Sequence, residues 1–105
     1  MDLEEQVMGI IINAGQARSL SYEALKKAKQ GQFDEAQTLL DESQEAAKAA
    51  HAVQTKLIEY DQGEGKTKMT LVMVHAQDHL MTSMLAKELV TEMIALYQHI
   101  ETVNA

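Results

Sequence analysis

Between Leu71 and Met81 the chain reads LVMVHAQDHLM, and three side chains there could do chemistry: His75, Asp78 and His79. From Met69 to Ala86, Asp78 is the single formal charge. On a helix, positions separated by three and four residues fall within roughly a 100° arc. An imidazole, a carboxylate and a second imidazole would therefore converge. Three uses fit that set. One is a satisfied polar cluster in a core, but three such groups in an apolar stretch carry a heavy desolvation cost unless paired. A second is a metal site, since His and carboxylate one turn apart are ligands in di-metal bundles. Such sites also need carboxylates from facing helices, and the first two helices offer no Glu-x-x-His; His51 stands alone. Copies of Asp78 brought together by symmetry are a different case. Two carboxylates ~5 Å apart repel by roughly 3 kcal/mol at an effective dielectric of about 20, so they need a cation or shared protons. The third use is nucleophilic catalysis at histidine, whose ring nitrogen attacks phosphorus near neutral pH. Met69, Met73, Met81 and Met84 surround the cluster and would form an adaptable rim for docking partners.

The elements that must position this cluster are helices. The chain has no proline, so few residues can stop a helix. Gly31 follows the cationic KKAKQ, a helix-ending signature, and DQGEGK at 61–66 is the second break. Three helices are expected, over about 2–30, 33–60 and 67–102, within a single domain of residues 1–105. Their apolar and small residues recur at spacings of three and four. The expected seams are Val7, Ile10, Ala14, Ala17, Ser21, Ala24 and Ala28 in the first helix. In the second they are Phe33, Ala36, Leu40, Ser43, Ala47, Ala50 and Leu57, interrupted by Gln54. In the third they are Met69, Val72, Ala76, His79, Ser83, Ala86, Val90, Met93, Tyr97 and Ile100. This is the repeat of an all-α, antiparallel three-helix bundle with coiled-coil-like packing. The third helix carries a second stripe: Leu71, His75, Asp78, Thr82, Leu85, Leu89 and Leu96. A three-helix monomer needs one apolar face per helix. The second stripe therefore predicts a homo-oligomer formed through the last helix.

Composition narrows the partners. The 105 residues hold 9 Lys plus Arg against 16 Asp plus Glu, a net charge of −7. That balance repels phosphate backbones, and no basic stripe offsets it, so nucleic acid is not an expected partner. Residues 69–86 approach the length of a membrane span, but Gln77, Asp78 and two histidines would be costly in hydrocarbon, and insertion is not expected. The absence of cysteine excludes disulfides and Cys-type zinc sites. Asp2, Glu4 and Glu5 stand where a signal peptide would be basic, which predicts a cytoplasmic protein.

VHAQDHLM at 74–81, IINAGQARSLSYEAL at 11–25 and GQFDEAQ at 31–37 together resemble the IIA component of the lactose/cellobiose class of the bacterial phosphotransferase system. The GQFDEA turn alone also suits tetratricopeptide-like hairpins, but no 34-residue repeat follows. The resemblance implies a homotrimer of three-helix subunits. It implies that His75 is the phosphorylated nucleophile, taking phosphate from HPr through Nε2. It then passes the group to a cysteine of the cognate IIB component, for uptake of a disaccharide of the chitobiose, cellobiose or lactose type. It also implies that Asp78 lies at the trimer axis, where three subunits share a divalent cation such as Mg. His79, one turn on, is expected to orient His75. The competing functional reading is a non-enzymatic oligomeric adaptor or a symmetric metal-binding bundle.

Overall fold

A computed structural model describes residues 2–104 and shows three helices: α1 (Leu3–Lys29), α2 (Phe33–Asp61) and α3 (Leu71–Asn104). α1 starts where the Asp2 carboxylate accepts the Glu4 and Glu5 backbone N–H groups at 3.1 and 3.3 Å. It ends with Lys26, Lys27 and Lys29 against the negative end of its dipole. Gly31, at φ 77°, closes the first turn.

The second connection is longer than expected, and α3 begins at Leu71 rather than at 67. The reason is local. The Asp61 carboxylate accepts the backbone N–H groups of Gly65 at 3.3 Å and Thr67 at 2.8 Å. Gln62, Gly63 and Gly65 adopt the left-handed conformation that lets the chain curl back onto it. The Thr70 hydroxyl then accepts the Met73 N–H at 3.2 Å and caps α3. The hydrogen bond from Thr67 N–H is the main cause holding the Asp61 carboxyl below its ordinary value of 3.8. A depressed carboxylate contributes stability that is present above its unfolded pKa and fades as pH falls through the folded one. The Thr67 amide resonance is therefore expected to titrate with a midpoint below 3.8. In Asp61→Asn that titration should vanish; an unchanged midpoint would assign it to another group.

α1 and α3 run parallel and α2 runs against both. Val7 packs with Leu57 and Met73 at one end, and Ala28 with Ala36 and Ile94 at the other. The bundle is a rod of 57 × 20 × 19 Å. Its middle is narrow, built on Ala17, Ala46 and Ala47. There Ser43 Oγ donates to the Ala17 carbonyl at 2.7 Å, which leaves Ser21 to donate to Ser43 at 2.8 Å. All seven expected seam residues of α1 are buried. In α2, Phe33 is only half-buried and Ala46 joins the seam.

The seam of α3 departs from expectation. The buried residues are Met73, Ala76, Leu80, Ser83, Val90 and Ile94. Ala76, Ser83 and Val90 are common to both patterns; Val72 and Met93 are exposed and His79 is half-buried. The helix is apolar enough that two registers satisfy the repeat. The one adopted buries Leu80 in place of His79, which spares an imidazole its desolvation. Lys87 occupies the remaining seam position, half-buried beside a groove of about 520 Å³ that includes Lys48 and His51. Met69, Tyr97 and Ile100, also expected in the seam, are exposed.

The second stripe of α3 faces outward from the single chain. Leu71 is 86% exposed, and Leu85, Leu89 and Leu96 are exposed as well. Contiguous apolar surface on this scale marks an interaction face. Among the described residues, no helix is long and apolar enough to cross a membrane.

Candidate functional site

His75, Asp78 and His79 lie on consecutive turns of α3, near the end built by the Val7–Leu57–Met73 core. His75 and Asp78 belong to the outward stripe, with side chains 62% and 65% exposed. Their facing atoms, His75 Nδ1 and Asp78 Oδ1, stand 3.5 Å apart. A carboxylate beside Nδ1 favours the tautomer that carries its proton there. The Nε2 lone pair, on the far side of the ring, is then the free nucleophile. An exposed pair of this kind is worth ~0–1 kcal/mol, so it orients the ring without immobilising it.

His79 contributes differently. Its ring stacks on that of His75, with centroids 5.8 Å apart and planes inclined by 12°. His79 is half-buried with its Nε2 edge against α1, so it forms a wall beside the exposed His75. The convergence of His75 and Asp78 is as the sequence predicts, and the direct Nδ1–Oδ1 approach within one chain adds to the contacts between copies expected of Asp78. The spacing of three residues was the signal for it.

Gln77 and Gln54, two residues without a role in the sequence reading, account for each other. Gln54 Nε2 donates to Gln77 Oε1 at 2.6 Å, joining α2 to α3. Gln77 Nε2 also points to Met73 Sδ at 3.8 Å. This bond sits one residue before Asp78 and two after His75, and fits the rotation of α3, set by its core packing, that turns both outward. The methionine rim is smaller than expected. Met69 and Met81 are exposed, but Met73 is a core residue and Met84 packs against the same core.

Among the described residues, no three His, Asp or Glu side chains of one chain converge to hold a metal. Asp78 offers a single carboxylate on the oligomer-facing stripe, so a cation there would need equivalent residues from other copies.

An exposed imidazole with a carboxylate at Nδ1 can carry a phosphoryl group on Nε2. Residues 5–98 match the family described as "PTS system, Lactose/Cellobiose specific IIA subunit". The chain is 64% identical over 100 residues to the N,N′-diacetylchitobiose-specific EIIA component of Escherichia coli K12, covering 95% of this chain and 86% of that protein. It is 43% identical over 99 residues to the lichenan-specific phosphotransferase enzyme IIA component of Bacillus subtilis, covering 94% and 90%. Among solved structures, the Escherichia coli IIA(chitobiose) protein in complex with HPr superposes with a TM-score of 0.84 at 62% identity, covering 96% of this chain and 98% of that one. The cellobiose-specific enzyme IIA of Bacillus anthracis gives 0.92 at 40% identity, covering 97% and 94%. The chain thus belongs to the lactose/cellobiose-specific IIA subunit family of the sugar phosphotransferase system.

Proposed function

We propose that this chain is the cytoplasmic phosphocarrier of a chitobiose-type phosphotransferase system, taking phosphate from HPr on His75 and giving it to a cysteine of its IIB partner. The observation that carries this is the exposed His75 ring. Its Nδ1 edge is occupied by Asp78, and one face lies beside the stacked His79. The likeness to the chitobiose protein solved with HPr supports the donor, and the 64% identity supports the sugar class.

In the first transfer, the His75 Nε2 lone pair attacks phosphorus. The donor's N–P bond breaks, and its electron pair returns to the donor imidazole. Asp78 opposes the positive charge that develops on the His75 ring as Nε2 gives up its lone pair. In the second transfer, a cysteine thiolate attacks phosphorus, the new N–P bond breaks, and the electrons return to Nε2. Catalysis in such a relay is mostly alignment and charge stabilisation. His79 supplies alignment by restricting the His75 ring to one side. The exposed stripe of Leu71, Leu85, Leu89 and Leu96 supports assembly as a homotrimer. Asp78 would then hold a divalent cation such as Mg at the axis, where the ion would neutralise the gathered carboxylates.

Incubation with phosphoenolpyruvate, enzyme I and HPr tests the relay. Intact mass is expected to rise by one phosphoryl group per chain, and acid should remove it, as befits an N–P bond. A chain that gains no mass would instead act as a helical adaptor.

A further inference from the structure

Gly15 stands in the middle of α1, half-buried, where glycine is less favourable than alanine. The turn glycines Gly31, Gly63 and Gly65 have positive φ; Gly15 does not, so its backbone gives no reason for the residue. Its surroundings do. A Cβ built at Gly15 would lie 3.4 Å from His79 Nε2, at the near limit of ordinary contact. The other glycine within α1, Gly9, would bring a Cβ only to the Val53 methyl at 3.8 Å. The Nε2 edge of His79 thus rests on the bare backbone of α1. Nε2 makes no hydrogen bond to a described side chain or backbone group there. The opposite consequence reaches the site, because the His79 ring is stacked at 5.8 Å on His75.

We propose that Gly15 is a positioning residue: its missing side chain forms the seat in which His79 lies flat beside His75, a role that rests on the phosphocarrier reading for its effect on transfer. Adding one methyl brings a Cβ into contact with Nε2 and closes the α1 side of the ring. Adding a branched side chain pushes the ring sideways and with it the wall that aligns His75. A displacement of this order at an aligning group reduces in-line transfer steeply.

The test uses Gly15→Ala and Gly15→Val in the full chain, each also combined with His79→Asn. Gly15→Ala should raise the melting temperature, as alanine for glycine does within a helix. It should nonetheless slow phosphate uptake from HPr by about threefold, and Gly15→Val by roughly tenfold or more. A residue with a merely structural role would not separate stability from rate in this way. In the His79→Asn background neither substitution should slow transfer further. The ring nitrogen signals of His79, measured without any phosphoryl donor, should shift in both single variants. Unshifted His79 signals overturn the seat. Equal slowing in the His79→Asn background overturns the route through His79. Shifted signals with wild-type transfer overturn the positioning role. Should Gly15→Val fail to fold, Gly15→Ala alone still decides each point. Mapping the phosphate to a residue other than His75 would sink the phosphocarrier reading, while the ring signals would still report on the seat.

Discussion

His75→Gln is expected to abolish phosphate uptake and to leave helical content and assembly unchanged. Glutamine roughly keeps the size and polarity of the ring and retains a donor for the Asp78 carboxylate, but it has no nitrogen lone pair able to attack phosphorus. The fold does not depend on the ring. His75 is 62% exposed, and substitutions at such surface positions stay within about 0.5 kcal/mol. The expected result is therefore an all-or-none loss in the mass assay beside an unchanged melting curve. The other histidines are the internal control. His51 and His99 are exposed and lie far along the sequence from the cluster, and His79 faces α1. Phosphorylation that survives in His75→Gln and disappears only on replacing His51, His79 or His99 would overturn the assignment.

Why one part of the fold was legible in sequence and another was not comes down to contrast. In α1 one line of Val, Ile, Ala and Ser keeps the three-and-four spacing from end to end among charged residues, and that face is buried. α3 offers apolar residues nearly all round. Ala76, Ser83 and Val90 belong to either register, and the choice between Leu80 and His79 as seam partner is made by packing against α1 and α2. The cluster itself was legible because three polar groups of matched spacing interrupt an apolar run. What it touches was not. The Gln54–Gln77 bond joins residues 23 positions apart, so each looked like an isolated fault in its own helix. The start of α3 was obscured in the same way. Residues 67–70 have no helix breaker, and what holds them out of the helix is the Asp61 carboxylate behind them and the Thr70 hydroxyl at the cap. Hydrogen bonds from side chain to backbone compete with helical ones for the same N–H groups, and composition does not reveal which side prevails.

Asp78→Leu is expected to keep the proposed trimer and make it harder to dissociate. In the single chain Asp78 is 65% exposed, on the stripe with Leu71, Leu85, Leu89 and Leu96, and costs nothing in solvation. Assembly through that stripe would change this. Three carboxylates would be gathered where water is scarce, each pair repelling by roughly 3 kcal/mol at ~5 Å and an effective dielectric of about 20. Replacing buried charges with apolar side chains of similar volume is often neutral or stabilising by about 1–4 kcal/mol. Leucine at position 78 would continue the existing leucine stripe, so sedimentation should show the variant associated at dilutions where the wild type comes apart. In the proposed trimer a divalent cation would offset the same repulsion in the wild type. A chelator should therefore weaken wild-type assembly and leave Asp78→Leu unaffected. The His75 chemistry should survive. In the single chain the Asp78–His75 contact is an exposed one worth ~0–1 kcal/mol, and the nucleophile itself is untouched by the substitution. Two observations would defeat this account. Monomeric Asp78→Leu would show that the carboxylate makes a contact the assembly requires. A wild type indifferent to chelator, whose assembly also fails to strengthen as pH falls, would show that neither a cation nor shared protons gathers there, and the axis would be lost.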